Sequence, residues 1–435
     1  MDDLIDPKIN LFYESPTIKT KLNKNVKLLY ADATGTGKPS PIIDNYVATN
    51  ILPYYANTHS NSFIGEEMNN LIKNTRKYIH KIFNLRKDHC ILFTGNGATG
   101  AINHLINSID FSKFKKVNIM ISLYEHNSNY VPWVELMHKN KKINLWILKN
   151  NNYNIDINNL DKTLKEFNKI KNSLNIVSIT ACSNVTGIFT NIKTIASVVN
   201  KYKKNNKNNY IFVDYACSAP YVNINGSFLD AFYISGHKFL GGYSTPGILI
   251  ASTNLFNKTN PFIMGGGCVD YANFNVIKYS NNIEEKESAG TPNIIGIIKF
   301  KKVLELKTEL LPIILHNEKI ISSYVFDKCN FLTNKYKNFK IIFPDIKIQR
   351  LPIIAFSITG LTFDNITMLL SDLFGIQARG GTTCCGLLSD HIYKSIGMYG
   401  WCRITFSWYM NKNEIIYILD AIEFIIKNGI NIINH

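Results

Sequence analysis

The segment His89-Cys90-Ile91-Leu92-Phe93-Thr94-Gly95-Asn96-Gly97-Ala98-Thr99-Gly100-Ala101-Ile102-Asn103 decides the fold class. It opens with a short apolar run, passes through a glycine-rich turn, and continues with apolar residues at three- and four-residue spacing. That pattern reads as strand, tight turn and helix. Strand and helix patterns go on alternating to about residue 252. Strands are expected at His89–Thr94, Val117–Ser122, Asn144–Leu148, Asn175–Cys182, Tyr210–Asp214, Ala231–Ser235 and Gly247–Ser252, with helices at Thr99–Ile109 and Ile192–Tyr202 between early ones. The alternation implies an α/β layer around a mainly parallel sheet. In such sheets ligands bind beyond the carboxyl ends of the strands.

A long helical pattern follows at Asn293–Leu310 and is expected to break at Pro312. Beyond it the character changes. Phe339–Phe343 and Pro352–Ser357 read as strands, Asp364–Phe374 as a helix, and Arg403–Trp408 as a last strand before a C-terminal helix. The expected organisation is a large α/β domain over 26–300 and a smaller α+β domain over 301–435, joined by an N-terminal arm over 1–25.

Composition narrows the function classes. The 435 residues are 46% hydrophobic, enough for two or three domains at roughly 150 residues each. No run of about 18 uncharged apolar residues appears, so a membrane span is not expected; the most apolar stretch, Ile415–Ile433, carries Asp420, Glu423 and Lys427. Met1-Asp2-Asp3 opens no secretory or transit signal. The net charge of +16 is almost all lysine scattered among Asn and Ile. With no nucleic-acid-binding motif beside it, that charge reads as solvated surface, and no nucleic-acid partner is expected. Eight dispersed cysteines without a signal point to a reducing compartment, the cytoplasm. No C-x-x-C pair is present, and no metal site is expected.

Several short stretches carry chemistry. Gly95 to Gly100 fits G-x-G-x-x-G, whose backbone N–H groups face a phosphate at a helix N-terminus. A dinucleotide site would also want an acid about 20 positions on, and Glu125 comes late. Gly35-Thr36-Gly37-Lys38 is not a P-loop: Asp32 stands at the required glycine and Pro39 at the Ser/Thr. Ser235-Gly236-His237-Lys238 closes a strand, so Lys238 reads either as a Schiff-base nucleophile or as one more surface lysine. Asp214 closes the preceding strand. An amine and a carboxylate at neighbouring strand ends, with a phosphate turn, suit pyridoxal phosphate: the amine holds the aldehyde and the carboxylate keeps the ring nitrogen protonated. His126 would stack on such a ring or shuttle protons, or is an ordinary loop histidine. Arg379-Gly380-Gly381-Thr382-Thr383-Cys384-Cys385-Gly386 offers a mobile nucleophilic thiol, or two small residues in a turn. Arg403 reads as a carboxylate clamp or a surface ion pair.

Together these residues resemble the class V aminotransferase family of fold-type I pyridoxal-phosphate enzymes, most nearly its cysteine desulfurase and selenocysteine lyase branch. The likeness runs from about Leu28 to Phe424. It is carried by Tyr30-Ala31-Asp32-Ala33-Thr34-Gly35, Asn57-Thr58-His59-Ser60, the phosphate turn within Phe93–Asn103, Glu125-His126-Asn127-Ser128-Asn129 with Val131-Pro132-Trp133, Ser183-Asn184-Val185-Thr186-Gly187, Ser235 to Lys238, and Glu287-Ser288-Ala289-Gly290-Thr291-Pro292-Asn293. The resemblance implies a mainly parallel seven-stranded sheet in the large domain. It implies Lys238 as the Schiff-base lysine, Asp214 at the pyridine nitrogen, His126 on the ring, and Gly97, Ala98, Thr99, Ser235 and His237 around the phosphate. Thr291 would reach the phosphate in the partner subunit of a homodimer. Asn184 lies at cofactor and substrate, and with Arg403 and Arg379 would hold the substrate carboxylate. Cys384 matches the nucleophile of the family's Arg-x-Gly-x-x-Cys stretch. The implied reaction is L-cysteine to L-alanine, with sulfur held on Cys384 as a persulfide and passed to an acceptor protein. Cys217, where the family has Gln near the cofactor, Cys268 in a glycine turn, and Thr382-Thr383 depart from the pattern. The rival readings are another class V reaction without a persulfide (transamination, epimerisation or C–S lysis) and a non-catalytic anion-binding scaffold.

Overall fold

The computed structural model describes residues 1–7, 11–22, 24–58, 60–151, 153–204, 206–343 and 348–434; His59 of the Asn57-Thr58-His59-Ser60 segment lies outside them. The chain divides into two compact units. One comprises 38–181 and 191–308, and the other 1–37, 182–190 and 309–435.

The first unit is built on a seven-stranded sheet. Its strands are β1 (His89–Thr94), β2 (Lys116–Ile121), β3 (Ile143–Ile147), β4 (Ser173–Thr180), β5 (Asn209–Asp214), β6 (Ala231–Ser235) and β7 (Gly247–Ser252). Their order across the sheet is β1-β7-β6-β5-β4-β2-β3. Every neighbouring pair is parallel except β6–β7 and β7–β1. Because β7 runs against both neighbours, β1 ends at the same edge as β5 and β6. Helices α1 (Gly97–Ser108) and α2 (Ile192–Lys203) follow β1 and β4 as crossovers. β4 is buried over its whole length.

A polar seam crosses this sheet and helps fix its register. Asn144 donates to Asn118 at 3.3 Å, Asn118 to Asn175 at 2.8 Å, and Asn175 to Asn209 at 3.0 Å. A strand slip of one residue would turn these amides to the other face and leave them unpaired.

The second unit holds a four-stranded antiparallel sheet of β8 (Phe339–Ile341), β9 (Ile353–Ile358), β10 (Arg379–Gly381) and β11 (Trp401–Thr405), in the order β8-β9-β11-β10. Its core includes Ile354, Phe356, Cys402, Ile404, Leu370, Ile415 and Ile422, with Met1 and Leu4 of the N-terminal arm packed against it. Leu29 and Tyr30 pair in parallel with Ile376 and Gln377.

Two sequence expectations are corrected. The helix expected to break at Pro312 runs unbroken as α3 (Ile294–Lys335), 42 residues with Pro312 inside. A helix-interior proline costs about 3 kcal/mol, but buried Val303, Leu304, Leu310, Leu311, Ile314 and Ile321 on both sides of it keep the helix running. The segment read as a glycine loop around Arg379 instead begins as edge strand β10. Several strand ends also shift by one to three residues, as where β11 begins at Trp401 and ends at Thr405.

Candidate active site

The sheet register brings three strand ends into line. Thr94 stands opposite Gly247, Gly247 opposite Ser235, and Asp214 opposite Tyr233. The turn after β1, the turn after β6 and the carboxylate closing β5 therefore share one edge. Lys238 ends a single 3-10 turn, Gly236–Lys238, that starts straight after β6.

At the first turn, Gly97 has φ +56°, and a Cβ there would lie 2.9 Å from Ser235 Oγ and 3.6 Å from His237 Cδ2. The backbone comes this close only because the residue is glycine. Ala98 N–H donates to Ser235 Oγ at 2.9 Å. Thr99 is exposed, and its hydroxyl meets Ser128 Oγ at 2.6 Å. Helix N–H groups, hydroxyls and an imidazole gather at the start of α1, donors of the kind that suit a phosphate. Burial lowers the pKa of His237, and the Lys238 charge lowers it further.

Asp214 is buried, and one of its oxygens accepts from Ala216 N–H at 2.8 Å. Burial raises its pKa; the Ala216 N–H and the Lys238 ammonium oppose that rise. The Lys238 charge is thus felt at Asp214. Cys217, also buried, follows three residues on.

His126 is half-buried and caps the turn after β2, its Nδ1 accepting from Ser128 N–H at 3.1 Å. Ser128 therefore bridges His126 and Thr99. Beneath lies Glu125, which the sequence reading passed over as a site residue. It is fully buried and accepts from Ser122 Oγ at 2.5 Å, Asn129 Nδ2 at 2.7 Å and Thr180 N at 3.0 Å. Burial pushes its pKa up to about 7 against those donors, and the Asp214 charge adds to the rise. Thr180 stands opposite Asp214 in the ladder, so one carboxylate network ties the His126 turn to the end of β5. The signal was present: an acid directly before a candidate stacking histidine.

Thr291 is exposed, in the segment after Glu287. Glu287 is buried and accepts from His104 of α1 at 2.9 Å and from Phe262 N–H at 3.1 Å.

The other unit assembles a second set. Arg403 on β11 is 2% exposed and paired with Asp32, so it is no surface ion pair. Its Nη1 donates to Asn184 O at 3.1 Å. Asn184 Nδ2 donates to Thr383 O at 2.9 Å, and the Cys385 thiol points at Asn184 Oδ1, 3.7 Å away. Arg379, exposed, faces Arg403 across the β10–β11 ladder. Thr383 (φ +49°) and Cys384 (φ +58°) are consecutive non-glycine residues in the left-handed region, a strain that surrounding contacts must hold. The Trp401 indole N–H bonds Thr383 Oγ1 at 3.1 Å and supplies one of them. Cys384 is exposed and the other seven cysteines are buried, with no disulfide among the described residues. Exposure and strain set Cys384 apart from Cys385, which heads helix Gly386–Ile396.

Comparison with known proteins gives one picture. A family model described as aminotransferase class-V matches residues 28–418. A protein of Borreliella burgdorferi named probable cysteine desulfurase is 28% identical over 436 residues, covering 95% of this chain and 94% of its own. A cysteine desulfurase of Wigglesworthia glossinidia brevipalpis is 28% identical, covering 92% and 93%. A solved apo cysteine desulfurase of Thermococcus onnurineus superposes with a TM-score of 0.77 at 21% identity, over 92% of this chain and 95% of that one. At that identity the last match speaks for the fold: a fold-type I α/β architecture.

Proposed function

Because the chain belongs to the aminotransferase class-V family, we propose that it is a pyridoxal-phosphate-dependent cysteine desulfurase, converting L-cysteine to L-alanine and keeping the sulfur on Cys384. The observation that carries the reading is the shared edge of β1, β5 and β6, where the Gly97 turn, buried Asp214 and Lys238 meet. The residues fit the cofactor: Gly97 leaves open the space that a Cβ would fill beside Ser235 and His237.

The cofactor, when bound, supplies an aldehyde for the substrate amine and a ring that takes up the electron pair released at Cα. Gly97, Ala98, Thr99, Ser235 and His237 would bind its phosphate. Lys238 would hold its aldehyde and would move a proton at the substrate Cα. Asp214 would hold a proton at the ring nitrogen, His126 would cover the ring, and Asn184 and Cys217 would line it. Arg403, with Asn184 and Arg379, orients the substrate carboxylate through its fork of N–H donors. The Cys384 thiolate attacks the substrate sulfur. The substrate Cβ–S bond breaks and an S–S bond forms, so that L-cysteine and the Cys384 thiol become L-alanine and the Cys384 persulfide. The exposed position of Cys384 supports onward transfer of that sulfur to an acceptor protein.

The working form is a homodimer, in which Thr291 reaches the partner's phosphate site. Tyr271, Phe274, Val276 and Ile277, all more than half exposed on one hairpin, support a covered apolar face. The protein works in the cytoplasm. Among the described residues no helix is long and apolar enough to cross a membrane, and no disulfide is present.

The test is incubation with L-cysteine, an alanine assay, and alkylation with mass spectrometry of the trapped persulfide. Alanine in step with sulfur on Cys384, both abolished in Cys384→Ala while the cofactor absorbance stays, supports the proposal. Alanine and sulfide released by Cys384→Ala at the normal rate contradict it.

A further inference from the structure

The Arg403 guanidinium is buried and its three nitrogens differ. Nη1 donates to Asn184 O, Nη2 pairs with Asp32 Oδ1, and Nε–H is buried with no hydrogen-bond partner among the described residues. A buried cation is costly without a counter-charge, and Asp32 supplies one. Arg379 stands opposite Arg403 in the ladder and adds positive charge. The Tyr30 phenol feels all three: burial and Asp32 push its pKa up to about 12, against the pull of Arg403 and Arg379.

The backbone of Asp32 is fastened while its carboxylate is not enclosed. Asp32 O accepts from Gly35 N–H at 2.9 Å and from Tyr30 OH at 3.1 Å. The side chain remains 20% exposed. Gly35 makes room for the paired pose: a Cβ at 35 would stand 2.6 Å from Asp32 Oδ2. Displacing the carboxylate is then a side-chain rotation towards the solvent it already meets.

We infer that Asp32 is a displaceable stand-in for the substrate's α-carboxylate, neutralising Arg403 between turnovers and competing with each incoming carboxylate for Nη2. The inference rests on the proposed role of Arg403 in holding the substrate. Asp32 is a positioning residue, acting on the substrate only through Arg403. The competition weakens every carboxylate ligand by the same factor, so only a ligand with a further anchor, such as an amine that is captured, still binds tightly.

The test uses the holoenzyme and Asp32→Asn, which keeps the shape and removes the charge. When a competitor holds a site nine-tenths of the time, removing it tightens apparent binding roughly tenfold. KM for L-cysteine should fall by about that factor, with kcat moving less. Inhibition by 3-mercaptopropionate, which is cysteine without the amine, should strengthen by at least as much. The dissociation constant of L-alanine, measured by calorimetry without turnover, should fall in parallel. Gly35→Ala retains the charge but crowds the carboxylate off Arg403, so it should shift all three in the same direction by less; it decides the matter if Asp32→Asn does not fold. A merely structural Asp32 would leave KM unchanged or raise it, with 3-mercaptopropionate no tighter, and either result overturns the inference. A wild-type enzyme that neither turns over L-cysteine nor binds L-alanine would instead refute the reaction, and this inference with it.

Discussion

Gly97→Ala tests the phosphate cradle with a single methyl group. Gly97 sits at φ +56°, and the new Cβ would come 2.9 Å from Ser235 Oγ and 3.5 Å from Ser235 Cβ. A left-handed alanine costs about 1 kcal/mol. The Ser235 hydroxyl must also move, and it is the acceptor for Ala98 N–H; a buried N–H left without a partner costs about 1–3 kcal/mol. The sum, about 2–4 kcal/mol, is borne either by the fold or by a turn that shifts and loses its ligand. In the second case it corresponds to roughly 30- to 1,000-fold weaker cofactor binding. The control is two residues away: a Cβ on Gly95 would meet nothing within 4 Å. Urea unfolding and a titration of cofactor-stripped protein with pyridoxal phosphate, run on both variants, supply the readout. If Gly97→Ala unfolds as late and binds as tightly as Gly95→Ala, the cradle as described is wrong.

Three further predictions concern other parts of the molecule. Burial pulls the Lys307 pKa down to about 8, with its ammonium against Val222 O at 2.6 Å. The folded state therefore gives up that proton more readily than the unfolded chain, and stability contributed by this group rises as pH climbs from about 8 towards 10.5. Lys307→Met should stabilise the protein by roughly 2 kcal/mol at pH 7, after allowing for the lost hydrogen bond, and the gain should vanish near pH 10.5 in thermal melts; an equal gain at both pH values would contradict the assignment. Asn175→Ala breaks the seam between Asn118 and Asn209 and should cost about 2–4 kcal/mol in denaturant unfolding, whereas a loss below 0.5 kcal/mol, the ordinary scale of a surface substitution, would mean the seam is not structural. Arg403→Lys keeps the charge but loses the fork and should raise KM for L-cysteine by about tenfold or more, with the cofactor absorbance unchanged.

The large sheet was legible because strand runs such as Ala231–Ser235 are bounded by glycine and polar turns, which local pattern captures. The candidate site was legible where chemistry coincides with a strand end, as at Asp214 and Lys238. Pro312 misled because local propensity says nothing of the burial that carries α3 through it. Arg403 could not be told from a surface ion pair, since its burial depends on β9 and β10, which pair with β11 on either side. Asp32 was read as the residue that spoils a phosphate loop and as a member of the Tyr30–Gly35 segment, but not as a partner of Arg403, which lies far along the chain. The asparagine seam was equally hidden: its members belong to four strands whose sheet order differs from their chain order.

The central claim is that the Lys238 amine carries the cofactor aldehyde beside Asp214. Borohydride reduction of the purified holoprotein followed by peptide mass spectrometry tests it most directly. The account predicts a pyridoxyl mass on the peptide containing Lys238 and none in Lys238→Ala; label on a different lysine, or equal label in Lys238→Ala, would contradict it.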